Sequence, residues 1–117
     1  MADEDLRQAF RDLATKVNET KQRIAQGEMA KRMSLKNEKT CRLAATQLKE
    51  FGSDKVTYRG VGRVFLLSSH GDEIKRHVEE AEQHKEKAAA FDRQKELLQK
   101  SVEESERNLR EMVEQRR

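Results

Sequence analysis

The chain is 117 residues long, 40% charged and 34% hydrophobic, and contains no proline or tryptophan, which excludes a thick globular core. Its 25 basic and 22 acidic groups leave a net charge of only +3. The densest basic run, Lys31, Arg32, Lys36, Lys39 and Arg42, is scattered around a helix without interleaved aromatics, so nucleic acid is not expected as a partner. No apolar run approaches the roughly 20 residues that span a bilayer, and the acidic start Met1-Ala2-Asp3-Glu4-Asp5 is unlike a signal or transit peptide, so a cytoplasmic chain with no membrane partner is expected.

High charge with few aromatics is also the signature of disorder, but the spacing of the apolar residues argues for long helices. Leu6, Phe10, Leu13, Val17, Thr20 and Ile24 follow alternating steps of four and three, the pattern that keeps one helix face turned toward a partner. The register is interrupted between Lys31 and Cys41, then continues through Ala44 and Leu48. These positions predict a first helix over about 4–51. Phe51-Gly52 reads as its stop, with Gly52 in the left-handed conformation after the last turn.

A different periodicity follows. Val56-Thr57-Tyr58-Arg59-Gly60-Val61 is rich in strand formers, Gly62-Arg63 suits a tight turn with glycine first, and Val64-Phe65-Leu66-Leu67 is continuously apolar. The expectation is a β-hairpin over about 55–68, with apolar residues on both faces of its second strand. A lone hairpin is marginal in water, and unpaired strand edges invite aggregation, so Val56, Tyr58, Val61, Val64, Phe65, Leu66 and Leu67 are expected to meet other chains in a shared sheet or barrel. The alternative is a hairpin folded back on its own helices.

After Gly71, with Asp72 as the expected cap, a second helix is predicted over about 72–116. Leu98, Val102, Ser105, Leu109 and Met112 repeat the four-three steps. This second seam mirrors the first about Val61: Phe10 faces Met112, Leu13 faces Leu109, Val17 faces Ser105, Thr20 faces Val102, Ile24 faces Leu98, Cys41 faces Ala81, Ala44 faces Val78 and Leu48 faces Ile74. Such a reflection is what an antiparallel helical hairpin requires. The second helix also loses phase, between Ala81 and Phe91, at the mirror level of the first interruption, as a shared three-residue stammer with local overwinding would.

Charge supports the pairing weakly, since residues 1–51 carry eleven positive and eight negative groups while residues 72–117 carry eleven positive and thirteen negative. Along each helix, acid-before-base pairs four apart (Asp3 with Arg7, Asp12 with Lys16, Glu96 with Lys100, Glu103 with Arg107, Glu106 with Arg110) should each add about 0.2–0.5 kcal/mol. The fold class expected is all-α dominated, a single domain over 1–117: a long antiparallel coiled-coil hairpin with a short β-hairpin at the bend.

Catalytic chemistry finds no support in the sequence. His70, His77 and His84 are seven apart, so neighbours lie about 10 Å from each other along a helix axis and cannot share an ion. Cys41 is the single cysteine, which rules out an internal disulfide and reads as a small seam residue. Gly60-Val61-Gly62 lacks the helix and lysine of a phosphate-binding loop. Neither an enzyme activity, a cofactor nor a metal site is therefore expected.

The hairpin run Tyr58-Arg59-Gly60-Val61-Gly62-Arg63-Val64-Phe65-Leu66 and the stretch Arg107-Asn108-Leu109-Arg110-Glu111-Met112 resemble prefoldin β-type subunits, and the likeness extends from Leu6 to Met112. Arg59 departs from it, where related chains tend to carry an acidic residue. The resemblance implies a heterohexameric co-chaperone of α-type and β-type subunits, a chaperonin cofactor whose hairpins build β-barrels. It also implies capture of unfolded actin and tubulin without ATP and transfer to the cytosolic group II chaperonin. Leu6, Phe10, Leu13, Leu109, Met112 and Val113, near the free ends of the helices, would be the client-binding tip, where fraying exposes seam residues and flexible methionine suits varied partners. The competing expectation is a structural coiled-coil scaffold or tether without affinity for unfolded chains.

Overall fold

The computed structural model describes residues 2–116, which form helix α1 (Ala2–Glu50), strands β1 (Thr57–Val61) and β2 (Val64–Ser68), and helix α2 (His70–Glu114). Both helices begin on acidic first turns, Asp3, Glu4 and Asp5 in α1 and Asp72 and Glu73 in α2, which complement the positive end of the helix dipole.

Both helix ends beside the hairpin differ from the sequence expectation. Asp72 is not the cap: the Ser69 carbonyl accepts the Glu73 amide at 3.0 Å and Ser69 Oγ accepts the Asp72 amide at 3.4 Å, so Ser69 closes the helix start and Asp72 sits within the first turn. Gly52 is not left-handed either, since Gly62, with φ of 60°, is the one glycine of positive φ among the described residues. Beyond α1 the chain turns instead through a bond from the Lys55 amide to the Gly52 carbonyl at 3.1 Å.

β1 and β2 pair antiparallel, with Thr57 opposite Ser68 and Val61 opposite Val64, and Gly62 supplies the left-handed residue a two-residue turn needs at its first central position. The strands thus reflect about the Gly62–Arg63 bond rather than about Val61. Unequal connections absorb the offset: residues 51–56 join α1 to β1, whereas Ser69 alone joins β2 to α2.

Packing divides the chain into two compact units, residues 31–89 and residues 1–30 with 90–117. The divisions fall at the margins of the two heptad interruptions, although neither helix is broken there. In the unit of residues 31–89 the buried apolar side chains are small, Ala45, Ala81 and Ala88. Ala81 is fully buried as its seam position requires, but Ala45 is enclosed where Ala44 was expected, and Cys41 is only half-buried. Arg42 donates across the helices to Glu82 at 2.7 Å and along α1 to Glu38 at 3.0 Å.

The other unit buries Thr20, Phe91 and Leu109. The Phe91 ring lies directly over Gly27, so close that a methyl group there would overlap it. Lys95 pairs with Glu28 at 2.9 Å. Lys16 does not pair with Asp12; its ammonium crosses to Ser105 Oγ at 2.6 Å and the Ser101 carbonyl at 3.2 Å, while Asp12 accepts from Gln8 at 2.8 Å. Arg7 likewise meets Glu4, at 3.5 Å, rather than Asp3, whereas the expected Glu96–Lys100 pair forms at 3.1 Å.

Candidate functional site

Alternation along β2 puts Val64 and Leu66 on one face and Phe65 and Leu67 on the other, and a two-stranded sheet has nothing to cover both. All seven hairpin positions expected to meet other chains, Val56, Tyr58, Val61, Val64, Phe65, Leu66 and Leu67, are indeed exposed in this single chain, Phe65 and Leu67 by about three quarters (75% and 73%). At about 25 cal/mol per Å² of apolar surface, leaving side chains of this size in water forgoes roughly 1.5–3 kcal/mol each. The fold-back alternative, in which the chain's own helices cover the hairpin, is not what the structure shows.

A single carboxylate anchors the hairpin. Glu73, in the first turn of α2, is 3% exposed and accepts from Ser68 Oγ of β2 at 2.7 Å, Arg59 Nε of β1 at 2.8 Å and Arg76 Nε of α2 at 3.0 Å. Burial pushes this carboxyl up, but the donors Ser68, Arg76 and Arg59 outweigh it and hold the group at about 2. Both strands are thereby tied to α2 through one charge. Arg59 finds its partner here. A second tie joins the helix ends, where a His70 ring nitrogen meets the Leu48 carbonyl.

Within the unit of residues 1–30 and 90–117 the six tip residues separate by burial. Leu109 is buried, Leu6, Leu13 and Val113 are half-buried, and Phe10 and Met112 are exposed. Two shallow grooves run over this part of the seam, one lined by Leu13, Leu109 and Met112 with Lys16 and Ser105, the other by Phe10, Leu13, Leu109 and Val113. Five of the six residues therefore gather around the grooves, and Leu6 lies outside both.

Sequence reasoning missed Glu73, because an acid in a first helical turn is ordinarily a dipole partner. It also missed a grouping of Cys41, His77 and Glu80, having tested histidines only against one another.

A family model described as "Prefoldin subunit" matches residues 11–116 of this helix, hairpin and helix. The chain belongs to the prefoldin family. Among curated prefoldins it is 45% identical over 117 residues to the probable prefoldin subunit 1 of Caenorhabditis briggsae, covering 100% of both chains. It is 30% identical over 115 residues to prefoldin subunit 1 of Homo sapiens, covering 98% of this chain and 94% of that one. The prefoldin beta subunit from Thermococcus strain KS-1 superposes with a TM-score of 0.70 at 15% identity, over 92% of this chain and 90% of that structure, and so shares the fold.

Proposed function

We propose that this prefoldin subunit is a β-type member of a heterohexamer of α-type and β-type subunits, which holds unfolded actin and tubulin in the cytoplasm without ATP and passes them to the group II chaperonin. The observation that carries the reading is the hairpin, with apolar residues exposed on both faces while its base is fixed to α2 through Glu73. An anchored but uncovered sheet fits an element completed by strands of neighbouring subunits. Aspartate at both Phe65 and Leu67 should abolish entry into the hexamer, read by native mass spectrometry after co-expression with the other subunits, while leaving helix content nearly intact. Normal assembly of that variant would remove the hairpin from the interface.

Client capture is assigned to Leu6, Phe10, Leu13, Leu109, Met112 and Val113. Removing residues 1–13 together with 109–117 takes facing halves of one seam, so hexamers should still form but suppress aggregation of a denatured client less well. The loss should be partial, because multivalent binding spreads affinity over the remaining subunits. Truncated hexamers as effective as intact ones would favour a scaffold role for this chain.

A further inference from the structure

Within residues 31–89, one thiol, one imidazole and one carboxylate converge where the two helices face each other. We propose that Cys41 of α1 with His77 and Glu80 of α2 forms a three-ligand site for a single zinc-class divalent cation, which would staple α1 to α2. The ligand atoms of the three residues all lie within 4.8 Å of one another, and Cys41 Sγ stands 3.8 Å from Glu80 Oε2. With metal–sulfur and metal–oxygen bonds of about 2.3 and 2.1 Å, the edge of a tetrahedron between these atoms is about 3.6 Å, so the sulfur–oxygen pair is already close to the required spacing. His77 and Glu80, three residues apart, present their ligands from one helix face, as in metal sites built inside helical bundles.

The imidazole supplies an independent sign. His77 Nδ1 is buried without a hydrogen-bond partner, and such an atom ordinarily costs about 1–3 kcal/mol. A cation would satisfy it. The other ring nitrogen stands 3.4 Å from Arg76 Nη2, a long contact that lapses when Nε2 carries the proton of a metal-bound neutral imidazole. Arg76 keeps its shorter bond to Glu73 Oε2, at 2.9 Å.

The surroundings orient the carboxylate. Glu80 is divided between two tasks, with Oε1 held by Arg76 Nη1 at 2.8 Å and Oε2 turned to the thiol. That is the outer-shell restraint a ligating carboxylate needs. A dication, the Cys41 thiolate and Glu80 sum to no net charge, while Arg76 and Arg59 share the one charge of Glu73 and leave a single positive charge beside the site. On binding, the Cys41 S–H bond breaks, the sulfur–metal bond forms and the proton leaves to water. A soft sulfur with nitrogen and oxygen selects zinc-class ions over magnesium or calcium. All three residues are half-buried, and a water molecule would complete the tetrahedron at the fourth position.

Cobalt(II) is the probe, because thiolate coordination gives it a charge-transfer absorption. The full chain with reduced cysteine should take up one cobalt(II) per molecule with that band, and zinc(II) should displace it. Cys41→Ser should abolish the band, and His77→Ala and Glu80→Gln should each weaken uptake at least tenfold. His84→Ala, on the same helix, should change nothing. Circular dichroism of each variant separates loss of a ligand from loss of the fold, and the near-isosteric Cys41→Ser and Glu80→Gln keep the test independent of packing damage. Absence of the band at saturating cobalt(II), or uptake unchanged in both His77→Ala and Glu80→Gln, overturns the proposal.

Discussion

A carboxylate as enclosed as that of Glu73 would be costly to ionise were it not met by three donors, and its properties follow from that balance. Its folded value of about 2 lies below the ordinary 4.5, so its stabilisation is complete above about pH 4.5 and is lost as pH falls toward 2. At about 1.4 kcal/mol per unit, the contribution near neutrality is about 3 kcal/mol. Glu73→Gln should therefore lower unfolding free energy by about that much at pH 7, with the gap from the parent closing near pH 2, as urea titrations at the two pH values would show. Gly27 obeys a different logic. Alanine at a mid-helix glycine would ordinarily gain about 1 kcal/mol, but here the methyl meets the Phe91 ring, and overpacking of this kind costs about 1–3 kcal/mol. Gly27→Ala should be destabilising, and should turn neutral or better when combined with Phe91→Leu, a coupling that a double-mutant cycle in thermal melts would reveal.

Helices and strands were legible in the sequence because each has a period: four-three steps for α1 and α2, alternation and a glycine turn for β1 and β2. The reflection of one seam on the other was legible for the same reason, and Leu13 and Leu109, which line the same two grooves, remain at their expected level. What escaped was decided by competition among polar groups of similar local merit. Ser69 and Asp72 are both good caps, and the single-residue connection from β2 favours the earlier one. Lys16 had a carboxylate four residues back and chose two oxygens across the seam instead. Glu73 could not be singled out without the placement of Arg59 and Ser68 on the strands, nor the trio without the placement of Cys41 on α1 against His77 and Glu80 on α2. Ser69→Ala should cost about 1 kcal/mol and, unlike most cap losses, should also loosen the hairpin, because Ser69 is the whole connection between β2 and α2. Faster hydrogen exchange at β2 amides, relative to the middle of α2, is the expected readout.

For the molecule as a whole, the dominant fact is that its apolar side chains are least covered at the hairpin, whose two strands are tied to α2 through Glu73. An isolated chain with seven exposed apolar hairpin residues and unpaired strand edges should be highly helical yet self-associate. Sedimentation should show concentration-dependent assemblies of the purified chain that disappear on co-expression with its partner subunits, while far-ultraviolet dichroism barely changes. The polar rungs between chain-distant residues carry one more consequence. Arg59 to Glu73 spans 14 residues, Arg42 to Glu82 spans 40, Glu28 to Lys95 spans 67 and Lys16 to Ser105 spans 89. Closing the last of these from an open chain costs about 1.6 kcal/mol more entropy than closing the first, yet once an inner rung is made, each next one encloses only some two dozen new residues. The pattern has a direction built into it, like a zip fastener whose slider starts at Gly62. Folding that begins at the turn and runs outward makes the pairing of the two terminal segments its last step, made when the hairpin is already locked.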